Sequence, residues 1–200
     1  MKQEFLELWQ HAVREQDLGQ VRRLLELEPS LAHELIVFTR GNGTTYRQSP
    51  LVVSRQSLEV SRVLVESGAD VNSRDRDGGT TPLMGPALEV GVFLVEQGAD
   101  VDAFGYEELT PLAYATYVQN HGLVEYLLAQ GAKVDRAHPA EGITPLHYAA
   151  RKCDASMIRV LVDGGADITV GDARGKTPLD WAIEAGRDEQ VCALLTPTRK

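Results

Sequence analysis

Apolar residues along this chain recur at helical spacing, and they do so in short paired blocks. Phe5, Leu8, Trp9, Ala12 and Val13 fall on one helix face, with charged residues between them. Asp17 is placed to cap a second helix carrying Leu18, Val21, Leu24 and Leu25, which Pro29 stops. Later stretches such as Val63-Leu64-Val65, Tyr126-Leu127-Leu128 and Met157-Ile158-Arg159-Val160-Leu161 each predict a helix that ends at a glycine. Glycine suits that place because it tolerates the left-handed backbone that terminates helices. One region departs from the pattern. Ile36-Val37-Phe38-Thr39-Arg40 and Thr44-Thr45-Tyr46 are β-branched and aromatic material around Gly41-Asn42-Gly43, and an Asn-Gly turn in that setting predicts a β-hairpin.

The paired blocks repeat. Thr-Pro-Leu begins at Thr81, Thr110, Thr144 and Thr177, with Ser49-Pro50-Leu51 as a softer copy, at spacings of 32, 29, 34 and 33 residues. Gly-Ala-Asp begins at Gly68, Gly98 and Gly165, with Gly131-Ala132-Lys133 between them. Two independent motifs keep the same period, so the chain is a repeat protein. Proline fits the first turn of a helix, where its missing N–H has no partner to lose. Threonine before it supplies an N-cap hydroxyl. The small pair Ala149-Ala150 lets a neighbouring helix approach closely. A single helix pair cannot bury both of its faces, so such repeats stack.

The segment Gly142-Ile143-Thr144-Pro145-Leu146-His147-Tyr148-Ala149-Ala150, running on to Gly165-Ala166-Asp167, resembles the ankyrin-repeat family. The resemblance extends from about residue 5 to residue 195. It implies an all-α ankyrin-repeat solenoid of about six helix-turn-helix repeats joined by β-hairpin fingers. Residues 1–200 then form one domain: an N-terminal capping repeat (1–35), internal repeats (36–72, 73–102, 103–135, 136–169), a C-terminal capping repeat (170–195) and a tail (196–200). From the Thr-Pro-Leu position to the residue after Gly-Ala-Asp-Val, the fourth and fifth repeats count 26 residues, the second 24 and the third 22. The shortfall falls on the first helix. In the third repeat, Thr81-Pro82-Leu83-Met84-Gly85 leaves about one turn before Pro86, which predicts a notch on the face lined by first helices.

Composition narrows the function. Lys plus Arg is 20 and Asp plus Glu is 29, a net charge of −9, which argues against a nucleic-acid partner. No apolar run reaches the roughly 18 residues that a membrane span needs, and Met1-Lys2-Gln3-Glu4-Phe5 does not open like a secretory signal. Cys153 and Cys192 form no CxxC pair and read as reduced thiols, so a cytoplasmic, monomeric protein is expected. His11, His33, His121, His138 and His147 include no HExxH. Gly41-Asn42-Gly43-Thr44-Thr45 lacks the Gly-Lys-Ser/Thr of a phosphate loop, and Asp75-Arg76-Asp77-Gly78-Gly79 has proline where a calcium loop needs glutamate. Glu107 and Glu108, being adjacent, point apart. The reading is therefore of no enzyme, no catalytic residues, no cofactor and no metal. By the resemblance, His147 hydrogen-bonds within the hairpin and its neighbours, and Cys153 stands where the family usually has glycine.

The resemblance also implies a function, the binding of a partner protein across a concave surface of fingers and first helices. Carried onto this sequence, the finger-tip positions are Arg40 and Tyr46, then Arg74, Arg76 and Asp77, then Tyr106, Glu107 and Leu109. His138, Pro139 and Glu141, then Arg174 and Lys176, follow. The helix positions are Tyr117 and Val118, and Arg151 and Lys152. Phe104, Tyr106, Leu109, Tyr117 and Val118 gather apolar and aromatic side chains, with tyrosine a favoured anchor. Arg151, Lys152, Arg174 and Lys176 form a basic patch suited to an acidic protein. Two alternatives stand beside this: a dedicated inhibitor or immunity-like protein blocking one enzyme, favoured by compactness and capped ends, and, more remotely, a metal-dependent or hydrolytic enzyme.

Overall fold

The computed structural model describes residues 2–74 and 79–197. It is helical, with one two-stranded sheet among the described residues, and it divides into two compact units.

The first unit comprises Met1–Asp100 and Gly105–Glu107. Its helices are α1 (Lys2–Arg14), α2 (Leu18–Leu27), α3 (Pro50–Val53), α4 (Leu58–Glu66) and α5 (Leu88–Glu96). A 3-10 turn, Pro29–His33, follows α2. Asp17 caps α2 as its position predicts, accepting from the Gln20 N–H at 3.0 Å. α1 packs on α2 and α3, while α2, α4 and α5 form a second row. Trp9, Val13, Val21, Leu51, Leu64, Met84 and Leu94 are buried between the rows. Each such large side chain contributes about 2 kcal/mol through removal from water. The hairpin pairs β1 (Ile36–Thr39) with β2 (Thr45–Gln48), placing Phe38 opposite Tyr46. Its turn closes through the Arg40 N–H donating to the Thr44 carbonyl at 2.8 Å, with Gly43 at φ 82°.

The shortened repeats have a structural consequence. α3 is a four-residue helix, and residues 81–85 form only turns. A missing helix leaves carbonyls without their usual partners. Here Arg55 donates to the Met84 carbonyl and Gln56 to the Gly85 carbonyl, both at 3.2 Å, and the Ala87 N–H donates to the Arg55 carbonyl at 3.0 Å. Thr81 keeps the capping residue type without a helix to cap. Its hydroxyl is buried and has no hydrogen-bond partner among the described residues.

The second unit comprises Val101–Phe104 and Glu108–Lys200. Its helices are α6 (Pro111–Tyr117), α7 (His121–Ala129), α8 (Pro145–Lys152), α9 (Ala155–Asp163), α10 (Pro178–Glu184) and α11 (Glu189–Leu194). They form two layers: α8 packs on both α6 and α10, and α9 on both α7 and α11. Leu112, Leu123, Leu127, Leu146, Met157 and Leu161 are fully buried and join the layers. The caps of α6 and α10 follow from the sequence: the hydroxyl of Thr110 accepts the Ala113 N–H at 3.1 Å, and that of Thr177 the Asp180 N–H at 3.3 Å. Gly131 and Gly165, at φ 84° and 92°, end α7 and α9 as the repeat requires. Cys153 is fully buried, with its thiol donating to the Thr116 carbonyl at 3.4 Å. Burial pushes that thiol up to about 11, the mark of a packed group and not of a nucleophile.

Candidate functional site

In the second unit the first helices and two finger loops form one continuous surface, and buried polar contacts hold it in place. His147, fully buried on α8, accepts the Thr144 N–H on Nδ1 at 3.2 Å, and its Nε2 lies 3.0 Å from the Lys176 carbonyl. A carbonyl only accepts, so the proton sits on Nε2. Burial holds the His147 pKa below the usual histidine value, and the ring stays neutral. It thereby ties the start of α8 to the end of the 172–176 loop.

That loop is organised by Asp172. One carboxylate oxygen accepts the N–H groups of Arg174 at 2.8 Å and Lys176 at 2.9 Å, and the other accepts the Trp181 indole N–H at 3.0 Å. The bond from Lys176 leads in holding the Asp172 pKa below the ordinary carboxylate value. The preceding loop is fastened by His138, whose Nδ1 accepts from the Ala140 and Glu141 N–H groups at 3.2 and 3.1 Å. The two loops join where the Ala173 N–H donates to the Glu141 carbonyl at 2.8 Å. Gly142 permits this approach: it adopts φ +66°, and a Cβ there would lie 3.0 Å from the Ala173 nitrogen.

Along the helices runs a row of rings. Tyr117 meets Tyr148 edge-on at 5.8 Å, and Tyr148 meets Trp181 edge-on at 6.4 Å. The Lys152 ammonium sits 3.9 Å from the Tyr117 ring centre, and the Arg151 guanidinium 5.8 Å from that of Trp181. Beside Trp181 the loops and α10 border an open cleft of about 520 Å³, lined in part by Arg151, Arg174, Lys176 and Glu184.

The residues singled out in the sequence are placed as follows. In the first unit Arg40 lies over the ring of Tyr46 at 5.3 Å, Arg74 is exposed, and Tyr106 is 43% exposed. Glu107 is exposed in a left-handed conformation, at φ 51°. Arg76 and Asp77 lie outside the described residues. In the second unit Tyr117, Val118, Glu141, Arg151, Lys152 and Arg174 are exposed, while His138 and Lys176 are partly so. Leu109 is buried at 6% exposure, so its side chain packs inside and is unavailable to a partner. Phe104 lies under the Arg136 guanidinium at 4.4 Å. Tyr148 and Trp181 were not singled out, although a signal existed. Both stand four residues after the capping threonine, as Tyr114 does, so one repeat position is aromatic three times running.

Among the described residues no group of three or more His, Cys, Asp or Glu is placed to hold a metal ion, and no helix is long and apolar enough to cross a membrane. The sequence matches the family model for ankyrin repeats over residues 53–138 and 119–200, and the chain belongs to the ankyrin-repeat family. It is 43% identical over 63 residues to the human ARF GTPase-activating protein GIT1, a match covering 32% of this chain and 8% of that protein. It is 39% identical over 85 residues to human ankyrin repeat and SOCS box protein 11, covering 42% of this chain and 26% of the relative. With the Arabidopsis thaliana zinc finger CCCH domain-containing protein 47 it shares 31% identity over 142 residues, 68% of this chain and 24% of the relative. The matches thus span about a quarter or less of these relatives. Ankyrin repeats generally mediate protein–protein interaction, and the chain has the helical repeat fold of that family.

Proposed function

We propose that this chain is a non-catalytic module that binds a partner protein on its finger and first-helix face. On this reading about six helix-turn-helix repeats, joined by fingers and bounded as the sequence periodicity divides them, make up one binding domain within residues 1–200. The observation that carries the reading is the ring row Tyr117–Tyr148–Trp181, exposed at Tyr117 and half-buried at Tyr148 and Trp181, with cations laid on its ends. Rigid aromatic side chains lose little entropy on binding, and such anchors dominate interface energetics. Tyr117 and Val118, 45% and 44% exposed at the end of α6, extend the row with apolar surface. Tyr106 and Glu107, Arg40 and Tyr46, and Arg74, Arg76 and Asp77 are proposed contacts from the remaining fingers. His138, Glu141, Arg151, Lys152, Arg174 and Lys176 supply the polar rim. Leu109 is left out because it is buried.

We infer that the partner is a protein and not a nucleic acid, since the chain carries a net charge of −9. The module is proposed to act as a monomer in the cytoplasm, a setting that suits the free thiols of Cys153 and Cys192. The test is affinity capture from native lysate with mass spectrometry, comparing the wild type with a Tyr106→Ala/Tyr117→Ala double variant. The expected result is at least about a tenfold loss in affinity for the captured protein with little change in Tm. Unchanged capture by the double variant excludes the reading.

A further inference from the structure

The cleft beside Trp181 has a charge balance that specifies what it accepts. Six charged side chains line it: Glu141, Arg151, Asp172, Arg174, Lys176 and Glu184. Three of these are committed internally. Asp172 accepts from the Trp181 indole and from two backbone N–H groups, and Glu184 is paired with the Lys176 ammonium at 2.5 Å. Arg151 and Arg174 are exposed, and neither has a carboxylate partner among the described residues. Against these two guanidinium groups stands only the exposed carboxylate of Glu141. Lys152, held on the Tyr117 ring and also without a carboxylate, continues the positive strip along α8. The formal charges of the lining cancel, three against three, so what the concave wall offers is two guanidinium groups without a carboxylate partner and not a net positive field.

We propose that this cleft takes an acidic side chain from an extended segment of the partner protein, a reading that rests on the protein-binding function proposed above. A guanidinium laid against an indole keeps its N–H edge free, and that edge matches a carboxylate in a two-point hydrogen bond. Arg151 and Arg174 are the groups that receive the carboxylate. Trp181, Ile143 and Ala173 supply the apolar wall for the aliphatic part of the same residue. Glu141, Asp172 and Glu184 surround the cations, and they repel a continuous run of phosphates while leaving room for one spaced carboxylate. This favours a peptide over a nucleic-acid strand.

The experiment is selection of a random dodecapeptide library on the immobilised full-length chain, followed by fluorescence polarisation of the best fluorescein-labelled peptides. The expected outcome is enrichment of Asp or Glu at a fixed position. Arg151→Glu/Arg174→Glu weakens those peptides about tenfold or more and turns the selected preference toward Lys and Arg. Arg151→Lys/Arg174→Lys retains the acidic preference at reduced affinity. If charge reversal lowers Tm, Arg151→Gln/Arg174→Gln abolishes the preference instead. Neutral or basic peptides from the wild type overturn the inference, as does an acidic preference that survives charge reversal. So does a labelled single-stranded RNA dodecamer that binds more tightly than the selected peptides. Recovery of non-acidic peptides that depend on Tyr117 removes this inference and leaves the protein-binding reading intact.

Discussion

At the residue scale, His147 shows how one buried ring couples the repeat motif to the loop of the next repeat. Its position in Thr144-Pro145-Leu146-His147 was legible in the sequence, but its second partner, the Lys176 carbonyl, lies 29 residues away and belongs to the next repeat. The ring's pKa is lowered, chiefly by burial. The unfolded chain takes up a proton as pH falls below about 6.5, while the folded chain resists it. The contribution of His147 is therefore fully present above that pH and is lost as pH falls below it. Asp154, Asp167, Asp172 and Asp180, whose pKa values are also lowered, lose their contribution only in the more acidic range below about 4. Asp135, raised mainly by burial, acts in the opposite sense as pH falls. Replacing His147 with Gln is expected to lower stability at pH 7 by about 1–3 kcal/mol. It is also expected to flatten the fall of Tm between about pH 6.5 and 5. Calorimetry across that range checks both effects, and a slope equal to the wild type's contradicts the assignment.

At the scale of the element, the same capping threonine has different worth in different repeats. Thr110 caps α6 through the Ala113 N–H, whereas Thr81 heads residues that never form a helix and its hydroxyl is unpaired. Thr110→Val is expected to cost about 1 kcal/mol. Thr81→Val is expected to stay within about 0.5 kcal/mol of the wild type, or to stabilise it, because no hydrogen bond is lost and a buried unpaired hydroxyl is removed. Urea denaturation of the two variants side by side provides the comparison, and equal losses refute it. That residues 81–85 hold no more than about one turn was legible from residue counting; that they form no helix at all was not. The bonds from Arg55 and Gln56 that satisfy the freed carbonyls were not, because both donors lie 29 residues from their acceptors.

At the scale of the whole molecule, stability in a repeat protein accumulates from neighbouring layers and not from one central core. Leu127, fully buried in α7, is a direct handle on this. Leu127→Ala is expected to cost about 2–5 kcal/mol through lost burial and the cavity left behind. Amide hydrogen exchange is expected to quicken first in α6, α7 and α9, with α1 and α2 keeping their protection. Uniform loss of protection throughout the chain indicates a single cooperative core and refutes the layered account.

Residue order alone is enough to read the repeat family, the helix pairs, the caps and terminating glycines, and the hairpin around Gly41-Asn42-Gly43. The family shows in the spacing of its recurring motifs, and the rest depends on contacts between residues close in the chain. Local rules of capping, turn chemistry and helical period suffice to read them. The surface had to await the tertiary structure, which buries Leu109, lines up Tyr117, Tyr148 and Trp181, and engages Asp172 and Glu184 while leaving Arg151 and Arg174 without a carboxylate partner among the described residues. Those outcomes depend on which side chains from successive repeats meet, and on which charges find a partner when they do. Spacing along the chain names the residues on a face but not the partners that packing assigns to them.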